Sequence, residues 1–147
     1  MYANTPMSED VKRQIYPDLK AAINGCDQLT AVNKLLNFVQ TGFEYEYDDK
    51  VWGGDRAFFA EESLYYPYCD CEDRSILFTR LVRDLLGFVV SWFIIRDTWP
   101  RLWNFRSLMR GGRLCLVGRT KFVIADGTFI GAPVGKTMYG MDNQTAR

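Results

Sequence analysis

The chain has 147 residues, of which 48% are hydrophobic, and its 18 basic residues balance 18 acidic ones. This length allows one domain with a real hydrophobic core, and the balanced charge gives no indication of nucleic-acid or membrane-surface binding. The chain contains no histidine, which excludes imidazole acid–base chemistry and most zinc sites from the polypeptide as written.

Targeting and disulfide signals are weak throughout the chain. Residues 1–10 are polar and lack the apolar stretch of a secretory signal, and the longest apolar run, residues 87–95, has the length of a strand rather than a membrane span. The cysteines are too few and too irregularly spaced for a disulfide framework: Cys26, Cys69, Cys71 and Cys115. We therefore expect one domain over residues 1–147, which could also be a fragment of a longer protein.

Two amphipathic helices are predicted in the N-terminal part of the chain. The first covers residues 8–22, with Ser8 as a candidate cap, and Pro17 is expected to kink or split it. The second begins at Asp27 or Thr30 and runs to Gln40, and Gly42 is expected to terminate it.

Residues 43–55 are predicted to be a short extended segment followed by a loop. Residues 43–47 alternate apolar and acidic side chains, and a glycine- and aspartate-rich break follows them. Residues 57–68 are dense in phenylalanine and tyrosine. We interpret this aromatic run as core packing in preference to a binding platform.

A helix opening at the run Cys-Asp-Cys-Glu-Asp, residues 69–73, is the central element of the sequence. Apolar residues recur at helical spacing along it: Ile76, Leu77, Phe78, Leu81, Val82, Leu85 and Leu86. Polar residues are expected on the opposite side: Arg74, Arg80, Arg83 and Asp84. Asp70 is a candidate N-cap, and Gly87 lies where a C-cap glycine belongs.

Cys71 would lie in the first turn of this helix. There the unpaired backbone N–H groups and the positive end of the helix dipole favour a thiolate, which is how a nucleophilic cysteine is built. The alternative interpretation is that Cys69 and Cys71 are small residues packed at a helix start.

Strands are predicted to follow the central helix. Residues 88–95 have the length and β-branched content of a buried strand, and residues 114–118 and 121–125 indicate a hairpin that is closed by Asp126. Helices followed by strands predict an α+β fold, with the N-terminal helices and the cysteine-bearing central helix packed on a small antiparallel sheet.

Two segments of the chain resemble the transglutaminase-like branch of the papain-like cysteine enzymes. These are the Asp-Cys-Glu-Asp run with its helix, and the later strand that ends at Asp126, found in the family's order. The resemblance covers residues 29–142 and maps the family's cysteine to Cys71 and its aspartate to Asp126. It implies that a thiolate attacks an acyl carbonyl of a protein or peptide substrate, while histidine, oriented by aspartate, moves the proton. It implies no cofactor and no metal.

The family's histidine would fall between residues 90 and 121, where this chain has none. Residues 92–113 are also anomalous in composition, since they contain three tryptophans and five arginines against one acidic residue. A shifted reading frame would explain both features. Permitted codons in that frame give LVYYPGHLATAVEFPEPDEG, with a histidine spanning the codons of Asp97 and Thr98. On this hypothesis residues 92–113 are expected to be the least regular part of the fold.

Three functional interpretations follow from these observations. The first is a cysteine acyl-transfer or peptidase-type domain, inactive as written because the triad histidine is missing. The second is a pseudoenzyme that binds protein without chemistry. The third, weaker because no second cysteine pair is present, takes Cys69 and Cys71 as half of a metal or redox site.

Overall fold

The protein is described by a computed structural model covering residues 2–88, 90–96, 103–117 and 120–136, with side chains described for residues 2–88, for Val90 and for residues 124–136. A short 3-10 turn at Tyr2–Asn4 precedes five helices: α1 Glu9–Ile23, α2 Gln28–Thr41, α3 Asp48–Val51, α4 Ala60–Tyr65 and α5 Cys71–Leu86. Five strands are described: β1 Glu44–Tyr45, β2 Tyr68–Cys69, β3 Val90–Arg96, β4 Trp103–Val117 and β5 Thr120–Ala125. This mixture of helices and small sheets confirms the coarse α+β prediction.

The strands form two separate sheets. β1 and β2 pair in parallel, which places Tyr45 opposite Cys69. The second sheet has the order β3-β4-β5 and antiparallel pairs, with Val90 opposite Met109 and Ser107 opposite Ala125. The end of β5 therefore lies beside the middle of β4.

The irregularity expected for residues 92–113 is wrong for most of that segment. Residues 92–96 belong to β3 and pair in unbroken register with β4, whose backbone stays extended from Trp103. The register shifts only between Arg110 and Cys115. Backbone pairing requires no particular side chains, so a segment of unusual composition can still complete a ladder. The predicted turn at residues 118–120 lies largely outside the described residues, as do residues 97–102.

The N-terminal helix is not interrupted by the proline at its centre. α1 continues through Pro17, so the predicted split is wrong. Ser8 occupies the N-cap position, but its side chain makes no capping hydrogen bond. Its backbone N–H instead donates to Glu61 Oε2 at 2.8 Å, which ties the start of α1 to α4.

The core lies between α2, α5 and the second sheet. The apolar side of α5 packs on that of α2, and Val90 and Ala125 close the cluster from the sheet. Apolar side chains of both helices are at most 1% exposed: Ile76, Leu77, Phe78, Leu81 and Val82 of α5, and Leu35, Leu36 and Val39 of α2. Burial of this kind stabilises the fold by about 1.5–3 kcal/mol per large apolar side chain, so α5 is held as a rigid central helix.

Candidate thiol site at the start of the central helix

The first turn of α5 is fixed by a reciprocal cap. Asp70 Oδ1 accepts hydrogen bonds from the backbone N–H groups of Glu72 at 2.9 Å and Asp73 at 3.1 Å. Asp73 Oδ2 accepts the backbone N–H of Asp70 at 3.3 Å, which completes a capping box. The predictions of Asp70 as the N-cap and of Gly87 as a left-handed C-cap, with φ of 69°, are confirmed. Cys71 is accordingly the first residue of the helix and is 5% exposed.

Tyr45 reaches the thiol from the neighbouring strand. The β1–β2 pairing aligns Tyr45 with Cys69, two residues before Cys71. The Tyr45 hydroxyl donates a hydrogen bond to the Cys71 sulfur. Burial, followed by the neighbouring Cys71 and Asp70, raises the pKa of Tyr45 well above its usual value. Tyr45 therefore remains a protonated donor beside the sulfur at any physiological pH.

Arg74 lies one turn along α5 from Cys71 and is 1% exposed, so its predicted place on the polar side of the helix is wrong. Its guanidinium donates to three carbonyl oxygens: Gln40 at 3.1 Å, Gly127 at 3.3 Å and Phe43 at 2.8 Å. It also lies 5.3 Å from the ring centroid of Tyr45. This buried cation joins α5 to the end of α2, to the residue before β1 and to the segment after β5, because each of these three supplies a carbonyl oxygen that solvates it.

Asp126 follows directly after β5 and is fully buried. Its Oδ1 accepts hydrogen bonds from the Thr128 backbone at 2.9 Å, the Thr128 hydroxyl at 2.7 Å and the Phe129 backbone at 3.2 Å. The next residue, Gly127, packs so closely on α5 that a Cβ there would meet the Arg74 Cβ at 3.1 Å. The fold thus brings the segment of Asp126 against the first turn of α5, which carries Cys71.

Gln40 locks the same region from the end of α2. This side chain is 1% exposed. Its Nε2 donates to the carbonyls of Asp126 at 2.8 Å and Ala132 at 3.0 Å, and its Oε1 accepts the Gly131 backbone N–H at 3.1 Å. The loop after β5 therefore has a fixed conformation, and Asp126 is held by its backbone as well as by its carboxylate.

The acidic residues around Cys71 have unusually high pKa values. Burial raises the pKa of Asp70 to about 6, and it raises those of Glu72 and Asp73 to about 7 and about 8. Mutual repulsion within the group, and from Asp48, acts in the same direction, whereas the backbone hydrogen bonds to Asp70 and Asp73 oppose it. The first turn of α5 is thus an acidic, largely buried group of side chains whose pKa values lie near neutral pH.

Cys69 differs from Cys71 in its surroundings. It is 2% exposed, and burial raises the pKa of its thiol to about 11, although Arg74 acts in the opposite direction. Within the described residues, no group of three or more histidine, cysteine, aspartate or glutamate side chains could hold a metal ion. The cysteine pair therefore gains no support as a metal half-site from this part of the chain.

Three residues of the site were missed in the sequence: Tyr45, Arg74 and Gln40. Tyr45 lies in the segment correctly predicted as extended, but nothing local indicates that β1 pairs with the strand before Cys71. Arg74 and Gln40 are polar residues on otherwise apolar helix faces, and their burial depends on carbonyls far away in the chain. A buried polar side chain needs hydrogen-bonding partners, but that rule could identify these residues only if the partners were already known.

In comparisons with protein-family models, curated proteins and solved structures, the chain matched none of them. In the part of the chain that the structure describes, no helix has the length and apolar character needed to cross a bilayer.

Proposed function

We propose that this chain is a transglutaminase-like thiol domain in which Cys71 accepts acyl groups, but which has no imidazole to complete catalytic turnover. The observation that carries the proposal is the placement of two residues. Cys71 begins the capped central helix, and the segment of Asp126 packs on that same turn through Gly127 and Arg74. A cysteine at a helix start, with the segment that carries a buried aspartate after a strand packed on the same turn, is what a transglutaminase-like fold would require.

The chemistry available at such a site has two steps with different requirements. The Cys71 thiolate attacks the carbonyl carbon and gives a tetrahedral oxyanion. The backbone N–H groups of Glu72 and Asp73 already donate to Asp70, so the oxyanion would be stabilised by the positive end of the α5 dipole. The intermediate then collapses with loss of the leaving group. An amide leaving group must receive a proton, which histidine supplies in a complete triad, whereas an activated phenolate leaves without one. The missing histidine should therefore block amide turnover and permit acylation by an activated ester.

A burst experiment with p-nitrophenyl acetate tests this proposal. We expect the protein to release about one equivalent of nitrophenolate in a burst at Cys71, and to hydrolyse amide substrates at the rate of buffer alone. Cys71→Ala should remove the burst, whereas Cys69→Ala and Cys26→Ala should retain it. A burst that persists in Cys71→Ala contradicts the nucleophile assignment. Multiple amide turnovers that depend on Cys71 would show that another group acts as the base.

A second candidate function is favoured by one specific observation. Large aromatic side chains between β1 and α5 are exposed, with Trp52 at 37% and Tyr65 at 82%. These features support a domain that binds another protein through this surface without reacting with it. Retained binding of a partner by Cys71→Ser protein would favour this candidate.

A further inference from the structure

An aromatic cluster beside the thiol site holds a cation that belongs to the chain itself. We call Trp52, Phe58 and Tyr66 the ring cluster. Its ring centroids lie 5.1–5.9 Å apart, with Phe58 and Tyr66 stacked and Trp52 edge-on to both. The Arg56 guanidinium carbon lies 4.8 Å from the Trp52 centroid, 5.3 Å from that of Phe58 and 5.8 Å from that of Tyr66. Three rings within reach of one cation form an aromatic cage.

We propose that the ring cluster is a recognition site for an arginine side chain of a basic peptide, and that Arg56 occupies it as an internal competitor. The proposal does not rest on thiol chemistry at Cys71. It requires that the Arg56 side chain can leave without collapse of the loop, that the surrounding charge favours a basic partner, and that a guanidinium fits better than an ammonium group.

The loop that carries Arg56 is anchored by its backbone. The Arg56 backbone N–H donates to Asp48 Oδ2 at 2.7 Å, and the Phe58 backbone N–H donates to Asp73 Oδ1 at 2.8 Å. Phe58 is 1% exposed and forms the fixed floor of the cluster, whereas Trp52 is 37% exposed at its edge. Neither anchor uses the Arg56 side chain, so the side chain can be displaced while the rings remain in place.

The ion pair made by the Arg56 side chain is weak. Its Nη2 donates to Glu62 Oε1 at 3.2 Å, and the two side chains are 42% and 32% exposed. Exposed ion pairs of this kind contribute little to stability because water and salt screen them. Glu62 would remain available to pair with an incoming guanidinium, so an arginine from a partner would regain the contacts that Arg56 gives up.

Charge and shape favour a basic peptide that presents arginine. Residues 44–73 contain ten acidic and two basic residues. Burial raises the pKa of four of these acids, Asp48, Asp70, Glu72 and Asp73, and without them six acidic residues still face two basic ones, a formal charge of −4 within a chain of zero net charge. Such a surface attracts basic partners and repels acidic ones. The side chain that now fills the cage is a planar guanidinium, which stacks on aromatic faces and pairs with a carboxylate in a way that a lysine ammonium cannot reproduce.

A titration with defined peptides tests the proposal. The probe is acetyl-Gly-Arg-Gly-amide at low salt, compared with the same peptide carrying citrulline, the neutral isostere of arginine. Binding is followed by NMR through the Trp52 indole N–H, which is assigned by its loss in Trp52→Phe. In the variant that lacks Trp52, binding is followed through saturation-transfer difference signals of the peptide itself. All titrations use Cys71→Ser protein, so a failure here leaves the acylation experiment independent. The matched control is Arg13→Gln, which changes an exposed arginine paired with Asp10 on α1.

We expect Arg56→Gln to bind the arginine peptide at least tenfold more tightly than unsubstituted Arg56 protein, because the internal competitor is gone. The citrulline peptide should bind at least tenfold more weakly than the arginine peptide, and Arg56→Gln combined with Trp52→Leu should abolish binding. Arg13→Gln should leave the affinity unchanged. If Arg56→Gln lacks a native melting transition, Arg56→Lys is measured by the same criterion, since lysine is the poorer competitor.

Three results would overturn the proposal. The first is equal or weaker binding when Arg56 is replaced. The second is equal affinity for the arginine and citrulline peptides. The third is binding that survives the loss of Trp52, since the peptide would then lie elsewhere on the surface.

Discussion

At the scale of single residues, Cys69 and Cys71 are two positions apart but chemically different. Burial raises the pKa of the Cys69 thiol to about 11, so only about one molecule in a thousand would be a thiolate there at pH 8. Cys71 begins α5, where the positive end of the helix dipole favours the thiolate. We expect iodoacetamide to alkylate Cys71 before Cys69 and Cys26, as read by peptide mass mapping at several pH values. Faster labelling of Cys69 or Cys26 would count against the site.

Arg74 should contribute more to the free energy of unfolding than a surface arginine does. Arg74→Met would leave the carbonyls of Gln40, Phe43 and Gly127 buried without their donor. Each unsatisfied buried group costs about 1–3 kcal/mol, so we expect urea unfolding to show a loss of at least about 3 kcal/mol. The control Arg13→Met breaks only an exposed ion pair and should cost less than about 1 kcal/mol. Equal losses for the two variants would mean that the buried network contributes little.

At the scale of elements, the N-cap residues of α1 and α5 differ in whether their side chains cap the helix. Asp70 accepts two backbone N–H groups at the start of α5, whereas the Ser8 side chain caps nothing at the start of α1. Asp70→Ala should therefore lower the unfolding free energy by about 1 kcal/mol, and Ser8→Ala should change it by only a few tenths. Thermal melts of the two variants at pH 5, where repulsion among the acids is weakest, make the comparison. A Ser8→Ala loss as large as that of Asp70→Ala would contradict the capping geometry.

The order of the main helices along the chain could also be predicted from local sequence patterns. Apolar spacing along α2 and α5, and Gly87 as the terminator of α5, were readable because helices obey a fixed period and end at recognisable residues. The β1–β2 pairing was not readable. Two strands of two residues each carry too few side chains to define a partner, and only the packing of α5 brings them together.

At the scale of the whole molecule, the acidic turn of α5 should make stability depend on pH. Asp70, Glu72 and Asp73 have folded-state pKa values of about 6, 7 and 8, each raised chiefly by burial. Between pH 4 and 8 the folded state therefore binds more protons than the unfolded chain, and the unfolding free energy falls as pH rises. The stability from these groups is complete below about pH 4 and is lost as pH rises through 6 to 8.

Urea unfolding at pH 5, 7 and 9 measures this trend. Glu72→Gln should flatten it, because one titrating group is removed and repulsion within the turn falls. Glu9→Gln alters an exposed acid on α1 and should leave the trend unchanged. Stability that instead rises from pH 5 to 9 would show that the capping hydrogen bonds outweigh burial at this turn.

The anomalous segment, residues 92–113, supports a prediction about the gene. If a frameshift removed the histidine, the coding DNA should read LVYYPGHLATAVEFPEPDEG in the alternative frame. A protein with this segment restored should melt at a higher temperature and should gain amide turnover that depends on Cys71. The regular pairing of residues 92–96 and 103–110 shows that the present segment already completes a sheet. A DNA sequence without that alternative frame, or a restored protein of unchanged stability, would leave the pseudoenzyme interpretation.

The sequence by itself determined the central helix, its two caps and the position of Cys71 in its first turn. These features depend on residues within a few positions of one another, and local backbone geometry settles them. Asp126 was also placed correctly at the end of a strand, because the apolar run before it ends there.

Only the tertiary structure decided what surrounds the thiol. Three features of the site depend on contacts between residues that are 26 to 92 positions apart. They are the burial of Arg74, the Tyr45 hydroxyl beside Cys71 and the Gln40 link to the loop after Asp126. The aromatic run likewise divides between a buried Phe58 and a Tyr65 that is 82% exposed, a division that its composition could not predict. Whether a polar group is buried depends on which distant carbonyls or carboxylates can satisfy it, and that is a property of the packed chain.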